Sequence, residues 1–432
     1  MELASMEGGR MSDENRDRDE FQEFLRKFFS SSQNFNPEDL ANQAGLPIDP
    51  ANLGMIMEQL QRAIAGQGEG INWKLVETQA KKELDSQKVE LSDELQQSFN
   101  QAFNTASLWL DEVTSIGQFE YNPLMLTRQG WVLESLDLFK EIAEPVATKL
   151  AEALAENLKE SLPEELSQLA GPASNILKTA GGSLFAMQFG QSLGQLANQS
   201  LSGGEIGIPI SDRPSLSVKN VEEFAQGLGL DFEEVLIYLA VRELALQRLF
   251  AQSGWLKDRV INQILEYSQE ISIDTEKINS LAEDLDLTNP VEIQQAISTG
   301  AFINEPTEAQ KIAQDRIRIN LALIEGWVDA VTEKATERLP SRVALGESIL
   351  RRRVSDNPSQ KLFGTLIGLQ LQPKMLRETS AMFRAVQQKL TMEARDEIWL
   401  HPDQLPSEEE IQNPYAPEHM PKCGEVIERL EL

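Results

Sequence analysis

At 432 residues the chain can bury a sizeable core, as two or three domains or as one domain with long helical insertions. Its 69 Asp and Glu against 39 Lys and Arg leave a formal net charge of -30, which repels phosphate backbones and anionic lipid, so nucleic acid is excluded as an expected partner. The 41% hydrophobic and 25% charged content are those of an ordinary globular protein, so the excess acid reads as a solvating surface.

Residues 1–20 are polar and charged and read as a disordered lead-in, with Met11 as an alternative start and no secretory signal. Residues 21–70 form a small helical segment, with Met55 and Met57 in a packing patch, and end in a linker at Gly66, Gly68 and Gly70. From Ile71 a long helical periodicity sets in. Residues 73–84 and 91–113 read as amphipathic helices, the second with Ser92 and Glu94 in its opening turn. Residues 123–160 continue the pattern, with Pro145 bending or restarting the helix. In residues 177–201 the glycines Gly181, Gly182, Gly190 and Gly194 let helices approach closely, and the interspersed Gln and Asn place that packing in a soluble core.

The β signals are confined to residues 205–221. Residues 205–210 alternate loosely, Asp212 and Pro214 give a turn, and residues 216–218 pair back, implying a small sheet. Helix returns after Glu222, with turns near Asp274, Asn289, Asn304, Pro340, Asp356 and Pro373, and residues 406–432 form an irregular tail. The expected fold class is therefore mainly α with a small β-sheet (α+β). The longest apolar run, residues 235–241, is far short of the roughly twenty residues a membrane helix needs, so no membrane insertion is expected. The single cysteine, Cys423, excludes a disulfide framework, and a cytoplasmic location follows by default.

The most informative segment is residues 231–252. Asp231 with Glu234 makes a capping-box-like start, so the apolar run that follows reads as helix. Val235, Leu239, Leu246 and Leu249 fall on one stripe while Leu236, Ile237, Val241 and Leu244 cover the other sides, which is the pattern of a buried helix. Arg242 projects from the centre of the stripe and Glu243 lies one step round. Each needs a partner or water, because an unpaired buried charge costs several kcal/mol. In the helix of residues 309–339, Glu325 sits inside an apolar run with Asp329 one turn on, and its candidate partners are Arg242 and Arg318, the latter seven residues earlier on the same face.

Several anchors carry a resemblance when taken in order: Phe189-Gly190-Gln191-Ser192-Leu193-Gly194, Gly207-Ile208-Pro209-Ile210, Tyr238-Leu239-Ala240-Val241-Arg242-Glu243, Ile324-Glu325-Gly326-Trp327-Val328-Asp329 and Trp399-Leu400-His401-Pro402-Asp403. Over residues 70–405 the chain resembles the zincin-like zinc-dependent metalloproteases, uncharacterised proteins regarded as hydrolases. The resemblance implies a zincin-like metallopeptidase fold with long helical additions, which would span residues 71–405 with the sheet near 205–221. Complete members of the family resemble peptidases with His-Glu-x-x-His on the active helix, two imidazoles for zinc and a glutamate as general base. Aligned here, the five positions read Arg242-Glu243-Leu244-Ala245-Leu246, so the base persists while both imidazoles are replaced. Glu325 takes the place of a third, downstream ligand. Only two histidines exist, His401 in a loop and His419 in the tail.

The resemblance thus implies a degenerate site made of Arg242, Glu243, Leu246, Glu325 and Asp329. On this reading Arg242 supplies the charge zinc would have supplied, pairing with Glu325 and with Glu243, and Leu246 fills the space of the second imidazole. The expected function is a non-catalytic scaffold or partner-binding module for an unknown protein or peptide, with no cofactor. The alternative is a hydrolase in which Glu243, Glu325 and Asp329 act as acid and base without zinc.

Overall fold

The computed structural model describes residues 71–84, 92–161, 170–271, 305–355, 362–364, 369 and 375–412, the side chains of 150–181, 184, 354 and 355 excepted. The expected lead-in, the segment 21–70, Cys423, His419 and the turns near Asp274, Asn289, Asp356 and Pro373 lie outside these residues.

Four helices open the described chain. Helix α1 (Trp73–Glu83) is capped by Asn72, and α2 (Asp93–Asp111) by Ser92, whose side chain accepts from Leu95 N at 3.2 Å. Strand β1 (Leu124–Leu126) leads into α3 (Arg128–Ser161), which runs through Pro145, and α4 (Ala170–Gln199) follows. Gly190 and Gly194 lie one turn apart on α4, where it packs against α1. A Cβ at Gly190 would stand 2.5 Å from Val76 O, and one at Gly194 would stand 2.5 Å from Ala80 O. Only glycine lets the two backbones approach this closely, as the small-residue run implies.

Strand β2 (Ser215–Ser217) pairs in parallel with β1 in the register Leu124 to Ser215 and Leu126 to Ser217, and Ser202 bridges to Leu216 from the antiparallel side. The sheet therefore falls partly within the predicted region, but its partner strand lies ninety-odd positions earlier. Residues 205–210 are turns, which corrects the strand expected there. Gly207 takes φ +81°, and the Glu205 carboxylate accepts from Leu201 N at 2.8 Å, folding the segment back on itself.

Helix α5 (Val218–Leu228) precedes α6 (Phe232–Gln252), where Asp231 accepts from Glu234 N at 3.2 Å as its spacing predicts. Every residue of α6 from Tyr238 to Leu249 is buried, as the all-round apolar pattern requires. Helices α7 (Trp255–Gln269) and α8 (Glu308–Ala335) follow, α8 beginning in a capping box in which Thr307 and Gln310 satisfy each other's backbone amides at 2.9 and 3.1 Å. The chain ends with α9 (Arg342–Ser355), α10 (Leu376–Lys389), α11 (Met392–Glu397) and α12 (Glu408–Gln412), so the described part of the expected irregular tail contains a short helix.

Helices α6 and α8 are the central pair. Helix α6 touches α2, α5, α8, α9 and β2, while α8 touches α2, α6, α7, α9 and α10. Buried Asp396 pins the far end of this arrangement, accepting from Thr114 Oγ1 at 2.7 Å and Trp327 Nε1 at 2.8 Å while Arg395 donates from Nε at 2.7 Å. The architecture is mainly α with a small parallel sheet. Among the described residues no helix is long and apolar enough to cross a membrane.

Candidate functional site

Two consecutive polar residues on a helix buried on every side point about 100° apart, so Arg242 and Glu243 need separate partners. The structure provides two.

Arg242 turns toward α8, where its Nη2 donates to Glu325 Oε2. The other oxygen of Glu325 lies 3.2 Å from Nη2 of Arg353 on α9. Arg242 is 8% exposed and Glu325 3%, so the pair is closed in the core. Burial alone would lower the pKa of Arg242, but Glu325 first and then Tyr238, Asp329 and Glu205 outweigh it and hold the guanidinium above its usual value. The expected pairing of Arg242 with Glu325 is thus present. Arg318 is not the second partner: it lies two turns away along α8, about 10 Å by helical rise, and pairs with Asp315 at 3.8 Å.

Glu243 turns the other way, beneath the loop 202–215, which corrects the expected contact with Arg242. Its Oε1 accepts from Ser215 N at 3.1 Å and its Oε2 from Gly204 N at 3.0 Å. Burial, with only 2% exposure, pushes its pKa up to about 7 against the opposing amides of Ser215 and Gly204 and the side chains of Ser202 and Gln247. Among the described residues no cation forms an ion pair with it. Leu246 packs on the same loop: a Cβ at Gly204 would collide with Leu246 Cδ2 and come within 2.9 Å of Glu243 Oε2. A side chain at position 204 would have to displace the ends of Leu246 and Glu243 for the loop to lie this close to the helix.

The loop is clamped from its far side by two arginines that the sequence reading did not single out. Arg353 donates to the carbonyls of Glu205 and, at 3.4 Å, Gly204, while Arg352 reaches Glu205 Oε1 at 3.0 and 3.2 Å. Burial raises the carboxyl pKa of Glu205, yet Arg352, Arg353 and the Leu201 amide together bring it below the usual value. A signal for these arginines exists in the sequence, since Leu345 and Ile349 on the buried face of α9 point at positions 352 and 353 three and four residues on.

Asp329 sits one turn beyond Glu325 and is held by Arg384 at 3.6 Å, outside the Arg242 pair. Trp399 is buried beside Trp327 and Phe383, with ring centroids 6.4 and 6.1 Å away. His401 is exposed, and its Nδ1 accepts from Asp403 N at 3.2 Å. Among the described residues no group of three or more His, Cys, Asp or Glu is placed to hold a metal ion.

The family profile of the zincin-like metallopeptidases matches residues 71–416. The chain is also similar to a crystal structure from Chloroflexus aurantiacus described as a "putative hydrolase with a novel fold", with 18% identity and a TM-score of 0.56, covering 84% of this chain and 99% of that one. At this identity the likeness is one of fold. No curated protein matches the chain.

Proposed function

Because the chain belongs to the zincin-like metallopeptidase family, we propose that it is a member whose old catalytic helix carries a cation of the protein in place of zinc, acting as a scaffold or partner-binding module. The observation that carries this reading is the guanidinium of Arg242 bonded to Glu325 inside the core. Zinc needs donors with free lone pairs in tetrahedral reach, and two of the matching positions hold Arg242 and Leu246. The third, Glu325, is engaged by two guanidiniums, whose charge opposes a divalent ion. These residues do not fit the metal. The guanidinium of Arg242 holds Glu325 through Nη2 but does not lower the pKa of water as a metal does, so the fold persists while the nucleophile-generating step has no agent. The partner is a protein or peptide, met by the acidic surface.

One observation favours a second reading. Glu243, with a pKa near 7, is poised as acid or base at neutral pH. Against it, both carboxylate oxygens already accept backbone amides beneath a closed loop. The experiment is a peptide-hydrolysis assay of the full chain beside its Glu243→Gln variant. The proposal expects no turnover by either above a buffer blank. Hydrolysis by the parent chain that disappears in the variant would reverse it.

A further inference from the structure

Beside the buried ion pair, and separate from it, a pocket of about 510 Å³ opens between α9 and α10. Its floor is Tyr238 on α6 with Asp329 on α8, and its walls include Arg342, Arg377, Ser380 and Arg384. This volume is in the range of small-molecule sites, and a lining this rich in charge suits a polar ligand. The state of each polar group says which kind. The acids of the floor are already satisfied, since Arg384 bonds Glu333 at 2.7 Å and lies 3.6 Å from Asp329. The groups left over inside are donors. Ser380 is 2% exposed, and its Oγ has no hydrogen-bond partner. Tyr238, also 2% exposed, brings its hydroxyl to the pocket, and burial raises its pKa so that it remains a proton donor. Arg342, half-buried, and Arg377, exposed on the rim, form no ion pair among the described residues, although Arg342 helps to lower the pKa of Glu337. Glu347, the remaining acid, stands exposed on the rim.

A buried hydroxyl left without a partner is costly, and its cost is relieved by an acceptor. We propose that this pocket binds a small anion bearing a carboxylate or phosphate group, which accepts from Ser380 and Tyr238 and takes Arg342 and Arg377 as its countercharges. The inference stands independently of whether the chain is catalytic.

The test is calorimetric titration of the full chain at low salt with two probes, inorganic phosphate and succinate, together with thermal unfolding. Saturable binding of one equivalent of either probe is expected, and the tighter of the two identifies the head group. Arg377→Ala should weaken binding about tenfold or more, as loss of a charge-assisted contact does. Ser380→Ala should weaken it several-fold while leaving the Tm of the free protein unchanged or raised, because the hydroxyl it removes is unpartnered. A purely structural serine would instead lower the Tm and leave binding alone. No binding of either probe below about 10 mM, a range weaker than the millimolar affinities that define a marginal site, or binding unaffected by both substitutions, overturns the proposal.

Discussion

Arg242 and Glu325 lie 83 positions apart in the chain, yet the guanidinium Nη2 of one donates to the carboxylate Oε2 of the other in the core between α6 and α8. Arg353 holds the second oxygen at 3.2 Å, so a single carboxylate ties three helices together. Removing one partner of a buried pair leaves the other charge stranded and costs about 3–5 kcal/mol. Arg242→Ala should fall at the low end of that range, because Arg353 remains. Chemical denaturation should show the lowered midpoint. Stability equal to the parent would mean that the pair contributes nothing.

Glu243 makes stability depend on pH in a definite direction. Its folded pKa of about 7 lies above the usual carboxyl value of 4.5, so between these limits the folded chain keeps a proton that the unfolded chain has released. That contribution is complete below pH 4.5 and is lost as pH rises to 7. It amounts at most to about 3–4 kcal/mol at 1.36 kcal/mol per pKa unit. Glu205, whose pKa is lowered, acts in the opposite sense and below pH 4.5, so the two windows do not overlap. Denaturation curves at pH 5 and pH 7.5 should differ for the parent and converge for Glu243→Gln.

Two glycines in helices should respond to alanine with opposite signs. At Gly194 a new Cβ meets the backbone of α1, 2.5 Å from Ala80 O, and the helices must separate at a cost of about 1–3 kcal/mol. At Gly227 on α5 nothing lies within 4 Å, so the helix propensity of alanine acts alone and stabilises by up to about 1 kcal/mol. Thermal unfolding of the two variants reads this directly. Equal effects would remove the close-packing account of α1 and α4.

Much of this architecture could be read from residue patterns. Helix α6 was legible because the apolar residues cover all its sides and Asp231 marks its start, while the pattern left Glu325 with two candidate partners, Arg242 and Arg318, of which the structure pairs it with Arg242. The strand β1 was hidden because three residues, Leu124–Leu126, take their pairing from Ser215–Ser217 far along the chain, and no local pattern records such a partner. Residues 205–210 alternate like a strand, but a buried Glu205 that caps its own turn and a left-handed Gly207 override the alternation. The Arg352 and Arg353 clamp was missed because a run of basic residues ordinarily reads as a solvated helix end, and only the inward spacing from Leu345 and Ile349 marks it otherwise.

Restoring the family's pattern should restore its metal. Arg242→His together with Leu246→His places two imidazoles one turn apart on the same face of α6 and releases one oxygen of Glu325, while Arg353 stays 3.2 Å from the other. The double variant should retain about one zinc per chain through dialysis. A folded variant, checked by circular dichroism, that retains none would contradict the view that the cation of Arg242 alone stands in the metal's place.

The most direct measurement is the zinc content of the unaltered chain after dialysis against metal-free buffer. A guanidinium fixed on Glu325 predicts far less than one equivalent. One full equivalent that withstands dialysis, and that Glu325→Gln releases, would contradict the account.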